Sequence, residues 1–341
     1  MKRFIKAIVD RVLVERIAQR TTEQVSLEFA ELFAETRNAV NLFRLSGLLD
    51  STPADASPVR QFATIDDDFW LWLHTEGYRR SAAVRRILPG LPPEETQYQY
   101  VGTVGDATMK IGLASSNVFK KLYEQTRGRA LTPEANVLDF GCGWGRIMRF
   151  FLKDIDPARL HGTDVSEEMV AFCRREFRWG TVNRNDPLPP TRFADGMFDL
   201  IYALSVFSHL SEDTHRKWLA EFKRILVPGG VLIATTRGRE FIIRCRDLRG
   251  RTDLTSITRH LPGLFVDTKD SLSRYDKGLF CFDSSREGYG EYSDWLGEAC
   301  ISKRYVMTNW SAFFDHLDYV DEGADRKVFN QNIIVARTAS A

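Results

Sequence analysis

The segment VLDFGCGWGRIMRF, from Val137 to Phe150, decides the reading of this chain. Val137, Leu138, Asp139 and Phe140 have the length and apolar content of a short buried strand. Gly141-Cys142-Gly143-Trp144-Gly145 follows at once, and glycines permit a tight turn and close approach of a ligand to the backbone. Beyond them Ile147, Met148, Phe150 and Phe151 predict a helix, whose first N–H groups have no partners within it. Strand, glycine turn and helix together open a nucleotide-binding β-α unit. The spacing is Gly-x-Gly-x-Gly rather than the Gly-x-Gly-x-x-Gly that faces a pyrophosphate, so no phosphate ligand is required.

Further along, the strand-like Leu160-His161-Gly162-Thr163 ends at Asp164, and Ser166, Glu167 and Glu168 open a helix carrying Met169, Val170, Phe172 and Cys173. An acid at the tip of a second strand can accept both hydroxyls of a ribose. The alternative reading is that Asp139 and Asp164 only cap or brace the loops beside them, with more room for it at Asp139. Phe198 to Leu204 reads as a strand covered on both faces, Ser205 to Leu210 leaves the sheet, and a helix from Ser211 buries Trp218, Leu219, Phe222, Ile225 and Leu226 before Pro228-Gly229-Gly230 stops it. Val231 to Ala234, Tyr319-Val320 and Gln331 to Arg337 complete the strands. Alternation of strand and helix predicts a doubly wound α/β sheet, with its ligand crevice beyond the strand ends that carry Asp139, Asp164 and Leu204.

The remaining composition is ordinary. Of 341 residues, 43% are apolar and 27% charged, and 47 basic against 46 acidic side chains leave a formal charge of +1. No global field draws the chain to nucleic acid or anionic lipid. Cys142, Cys173, Cys245, Cys281 and Cys300 are widely spaced, which predicts neither a disulfide framework nor a metal site and fits a cytoplasmic protein. Residues 1–130 read as a helical extension or cap. Ile5, Ile8, Val9, Val12 and Leu13 form one helical face, to be packed on the protein or laid against a membrane surface, and a second helical pattern covers 24–45. Asp66, Asp67 and Asp68 cap a short aromatic helix, and after the prolines of LPGLPPEETQ a helix runs up to Gly128.

Four blocks in order, VLDFGCGWGRIMRF (137–150), GTDVSEEMV (162–170), ADGMFDLIYALSVFSHL (194–210) and EFKRILVPGGVLIATT (221–236), resemble the class I methyltransferases that use S-adenosylmethionine. The chain is also similar to a bacterial group of such enzymes in its LPGLPPEETQYQYVG lead-in and SVFSHLS segment, a likeness that names no acceptor. The resemblance implies a Rossmann-like, mostly parallel seven-stranded sheet whose last strand is antiparallel, over 131–341. It places Gly141, Cys142, Gly143, Trp144 and Gly145 against the methionyl part of the donor, Asp139 on its ammonium, Asp164 on the ribose and Val165 along the adenosine. For the adenine amine the candidates are Asn183, Asn185 and Asp186; Asn185 is preferred because a carboxamide both accepts and donates. Leu204 and Ser205 flank the donor at the end of the fourth strand.

Residues 238–303 exceed the single helix that ordinarily joins strands five and six, so they read as an acceptor-binding insertion. A helix is expected over Glu240 to Arg246 and another from Thr308. The aromatics Tyr275, Phe280, Phe282, Tyr289, Tyr292 and Trp295 either wall a pocket or fill a satellite core. The arginines 237, 239, 244, 246, 249 and 251 read as a solvated face rather than a nucleic-acid site. His209 follows strand four at the ligand edge and is the candidate general base, with His215 a poorer choice. The expected function is O-methylation of a small molecule or glycan; a catalytically silent cofactor-binding scaffold and an RNA methyltransferase are the alternatives.

Overall fold

The computed structural model describes residues 34–42 in part, 62–284, 294–321 and 330–340. The chain divides into two compact units, residues 1–56 and 57–341, and the sheet belongs to the second. The expected amphipathic face at residues 5–13 and most of the 24–45 pattern lie outside the described residues, as do Tyr289 and Tyr292. No helix among the described residues is long and apolar enough to cross a membrane.

Strands β1 (Val137–Phe140), β2 (Leu160–Asp164), β3 (Thr181–Arg184), β4 (Phe198–Ala203) and β5 (Leu226–Thr236) are followed by β6 (Cys281–Asp283), β7 (Glu298–Cys300), β8 (His316–Val320) and β9 (Asn332–Arg337). The seven-stranded sheet has the order β3-β2-β1-β4-β5-β9-β8. Strands β1 to β5 pair in parallel, and β9 runs antiparallel to both its neighbours. Strand order therefore reverses between β1 and β4, which leaves a crevice at the ends of those two strands. β5 begins earlier than the sequence implies: Pro228-Gly229-Gly230 lies inside it, taken up by a register irregularity opposite Phe198 and Leu200.

Alternation along β1 separates the two layers. Leu138 and Phe140 belong to the larger core, where the Phe140 ring lies 4.5 Å from Trp218 and 4.8 Å from Phe222 of the helix Glu212–Ile225. On the other face Tyr202, the register partner of Asp139, stacks between Phe119 and Phe151, each 5.1 Å away. Phe119 comes from the helix Gly105–Arg127, which ends as expected where Gly128 takes a left-handed φ of 72°. The short aromatic helix Asp67–Trp72 is also present, with Asp66 accepting from the Phe69 N–H at 2.7 Å.

The helix expected after the glycine turn is replaced by a single 3-10 turn, Met148–Phe151. Gly145, whose carbonyl would start the helical ladder, accepts at 3.3 Å from both the backbone and the side-chain Nε of Arg149. Arg149 is fully buried between the rings of Trp144 and Phe177, and its other nitrogens donate to the carbonyls of Pro89 at 3.1 Å and Gly90 at 2.9 Å. One guanidinium thus ties the proline-rich lead-in to the glycine turn. Burial lowers it to about 10, so it stays charged at neutral pH.

The insertion has its own structure: the helix Arg239–Asp247, close to the expected span, the helix Thr268–Asp276 and the β6–β7 hairpin. These enclose a small core of Phe241, Ile242, Cys245, Leu261, Leu264, Phe265, Cys281 and Cys300. The helix expected from Thr308 starts earlier, at Lys303, because the Ser302 hydroxyl caps it through the Tyr305 N–H. Replacing Arg149 with Met should lower unfolding free energy by about 2–4 kcal/mol, because two buried carbonyls lose their donors. Urea unfolding of R149M checks this, and a loss below about 0.5 kcal/mol would show that the tie is unimportant.

Candidate active site

A cavity of about 490 Å³ opens at the β1/β4 crevice. Its wall includes Asp139, Gly141, Cys142, Gly143, Trp144, Asp164, Val165, Asn185, Leu204, Ser205 and His209. Gly145 is the one sequence-predicted residue that does not line it. Its φ is +75° and a Cβ there would collide with the Phe177 ring, so this glycine serves loop packing.

The loop is held from the tip of β2. Gly141 and Cys142 donate their N–H groups to the Thr163 carbonyl at 2.8 and 2.9 Å, and Gly143 donates to Asp164 Oδ2 at 2.8 Å. Asp164 Oδ1 accepts from the Ser166 N–H at 2.8 Å. The carboxylate therefore braces the loop and faces the cavity at once; each oxygen keeps a second lone-pair direction for a ligand. Burial raises the Asp164 carboxyl even though the amides of Ser166, Gly143 and Val165 favour its charge. The Cys142 thiol is pushed up, first by the adjacent Cys173 thiol and then by burial.

Asp139 is 3% exposed. Burial pushes its carboxyl up to about 7, with the Tyr202 hydroxyl and the Arg146 guanidinium pulling the other way. Arg146 also lines the cavity, and its buried Nη1 has no hydrogen-bond partner. Burial lowers Arg146 to about 10 against the attraction of Asp139, so one corner of the cavity offers a buried acid beside a buried, partly unsatisfied cation. Sequence reading passed over Arg146 because an arginine in a predicted helix is ordinarily a solvated residue.

Asn185 donates through Nδ2 to the Asp186 carbonyl at 2.8 Å, while its Oδ1 is buried without a partner. Of Asn183, Asn185 and Asp186 only Asn185 reaches the cavity. At the end of β4, Ser205 has a φ of 58°, a strained value for a residue with a side chain. Its N–H donates to Thr235 Oγ1 at 2.7 Å, and Gln331 bridges the pair, donating to Ser205 Oγ at 2.8 Å and accepting from Thr235 at 2.6 Å.

The lining also includes His209, Leu210, Trp295 and Leu296, with Gln99, Tyr100 and Val101 from the QYQYVG lead-in. The other named aromatics divide: Phe280 lies in the main core, Phe282 packs against it and Tyr275 against the small core. His215 is fully buried among Phe207, Phe280 and Trp310 and pushed down to about 3 by burial, so it is a neutral core ring.

The sequence model of a family described as "Methyltransferase domain" matches residues 137–230, from the start of β1 into β5. Residues 137–230 are thus similar to a methyltransferase domain, on a sheet of the order described above. The chain is 30% identical over 108 residues to cyclopropane mycolic acid synthase MmaA2 of Mycobacterium tuberculosis, covering 31% of this chain and 37% of that protein. It is 25% identical over 135 residues to a malonyl-[acyl-carrier protein] O-methyltransferase of Halalkalibacterium halodurans, covering 37% and 48%. It thus spans under half the length of these curated relatives. A solved S-adenosylmethionine dependent methyltransferase from Mesorhizobium loti aligns with a TM-score of 0.40 and 15% identity, over 63% of this chain and 97% of that one.

Asp139 sets a dependence of stability on pH. Its carboxyl titrates near 7 when folded against an ordinary value of 3.8. Between those values the unfolded chain gives up a proton that the folded chain keeps, so stability falls as pH rises through this window and is level above it. D139N should match the native protein near pH 4 and exceed it by up to about 4 kcal/mol at pH 8, at about 1.4 kcal/mol per unit. Thermal and urea unfolding at both values measure the difference, and a D139N protein less stable at pH 8 contradicts it.

Proposed function

We propose that the protein transfers a methyl group from S-adenosylmethionine to a hydroxyl oxygen of a small-molecule or glycan acceptor. The observation that carries the reading is the sequence of groups along one cavity: Asp139 and Arg146, the glycine loop, Asp164, then Asn185. An α-amino acid end needs a carboxylate for its ammonium and a cation for its carboxylate, which Asp139 and the unpartnered Nη1 of Arg146 provide. Paired ribose hydroxyls fit the open lone pairs of Asp164. The orphaned Oδ1 of Asn185 fits an exocyclic amine. A Cβ on Gly143 would meet nothing nearer than Tyr100 at 3.9 Å, so the loop faces open space.

When bound, S-adenosylmethionine supplies a methyl group already activated on a sulfonium. The protein's part is then to bind, align and exclude water, and alignment alone can supply much of the rate. Trp295, Leu296, Leu210 and Tyr100 exclude water from the cavity, and His209 lines it as the group able to take a hydroxyl proton.

The arginine-rich stretch argues against an RNA acceptor. Arg237 pairs with Glu298, Arg239 with Asp276, Arg246 with Asp247 and Arg251 with Asp253, while Arg249 donates to the carbonyls of Pro262, Leu264 and Phe265. A cytoplasmic setting is consistent with five unbridged, buried cysteines.

Titration calorimetry with S-adenosylmethionine should give saturable one-site binding that tightens as pH rises through about 7, where Asp139 ionises. D139N should bind more weakly and lose that dependence. D164A should weaken binding tenfold or more, as expected for loss of charge-assisted hydrogen bonds of about 1.5–3 kcal/mol. Absence of saturable binding to the native protein refutes the reading, and an unchanged D164A affinity removes Asp164 from the donor site.

A further inference from the structure

We infer that Glu298, contributed by the 238–303 insertion, is the positioning residue that makes His209 a general base for a neutral hydroxyl acceptor. This inference rests on the methyl-transfer reading above. The insertion returns to the cavity as a length of chain laid along the loop after β4. Gly297 donates its N–H to the His209 carbonyl at 2.8 Å, Ala299 donates to Ser208 at 2.8 Å, and Ser211 donates to Trp295 at 3.0 Å. Leu210 and Leu296 form a bridge between the two runs. Backbone pairing thus fixes where the Glu298 side chain meets the histidine.

His209 Nδ1 lies 3.0 Å from the Gly297 carbonyl and 3.5 Å from Glu298 Oε1. Both are acceptors only, so Nδ1 carries a proton in either charge state, and when the ring is neutral its lone pair is on Nε2. The other Glu298 oxygen is held by Arg237 Nε at 2.6 Å, and His260 Nε2 lies 3.8 Å from Oε1. Arg237 is itself set over the Phe241 ring at 3.9 Å. Glu298 is only 1% exposed. Burial would raise its carboxyl, but His209, Arg237 and His260 together bring it down to about 2. It is therefore ionised throughout the working range.

Burying a carboxylate costs several kcal/mol before compensation, and Arg237 alone would neutralise it. The further placement against an imidazole on the cavity wall has a chemical use: the anion holds the ring in one tautomer and stabilises the imidazolium that forms when the base accepts a proton. In the balanced step, an acceptor oxygen bonds to the methyl carbon and the methyl–sulfur electron pair stays on sulfur. The hydroxyl proton passes to His209 Nε2 and then to solvent. An acceptor already ionised in water has no such proton to lose.

The test uses the full chain, its E298Q, E298D and H209Q variants, and S-adenosylmethionine labelled in its methyl group. Calorimetry should show donor affinity unchanged in E298Q. On a panel of neutral sugars and alcohols, E298Q and H209Q should lower kcat by about 100-fold, within the usual range for removing general base catalysis. The donor KM should hold, and E298D should recover part of the rate. With 4-nitrophenol at pH 8, already ionised, the loss should vanish. In parallel, the His209 imidazole titration followed by nitrogen-15 NMR should move to lower pH in E298Q, because the negative charge beside it is gone while Arg237 and His260 remain.

An unmoved His209 titration, or equal slowing on alcohols and nitrophenolate, overturns the inference. Should the panel contain no acceptor, the titration decides alone, a lowered midpoint upholding the coupling and an unmoved one rejecting it. Failure of the native protein to bind the donor instead strikes the methyl-transfer reading and leaves the titration result standing by itself.

Discussion

The glycine loop is fixed by three backbone N–H groups that end on the tip of the neighbouring strand: two on the Thr163 carbonyl and one on the Asp164 carboxylate. The bond to the carboxylate is charge-assisted and contributes about 1.5–3 kcal/mol, and the two to the carbonyl about 0.5–1.5 kcal/mol each. They matter because the parallel register of β1 and β2 sets Phe140 beside Thr163, so both loops leave the sheet at one level. The loop cannot drift without unpairing a buried acid. Asp164 thereby braces the loop while lining the cavity.

Around this clamp the protein keeps charges inside: Asp139, Arg149 and Glu298, with Arg146 largely enclosed. Such groups are costly to bury, and each has to be offset by partners inside the protein or by a ligand. Arg149 is the structural member, spending its donors on carbonyls of the lead-in and glycine turn. Asp139 and Arg146 face the cavity, and the Nη1 of Arg146 has no partner in the protein. That difference in satisfaction separates a fastening from a recognition site.

The insertion has two roles that its sequence did not separate. Most of its apolar residues fill a private core, and most of its arginines are engaged locally. Its last segment behaves differently. By pairing with the loop after β4 it brings Trp295, Leu296 and Glu298 to the edge of the donor cavity. A long connection after β5 is thus stabilised by its own core while its return strand shapes the reaction side.

Much of the sheet and of the donor wall was legible in the residues, because strands, glycine turns and strand-end acids are local patterns with short-range causes. Val137 to Phe140 and the strand ending at Asp164 stand where the pattern placed them, and Asn185, Leu204 and Ser205 line the cavity. The helix after Gly145 was misread since a distant partner, the Pro89-Gly90 carbonyls, draws Arg149 inward and the periodicity of four residues carries no sign of it. Arg146, Gln331 and Glu298 were invisible for the same reason: each acts on a residue far along the chain or across a strand, and a lone polar side chain reads as solvated until packing buries it. Sequence by itself determined the β1 strand, the glycine turn and the acid at the tip of β2, which follow local patterns. Only the tertiary structure decided what surrounds His209, because that neighbourhood is made by two segments 88 residues apart whose meeting depends on backbone hydrogen bonds no residue identity announces.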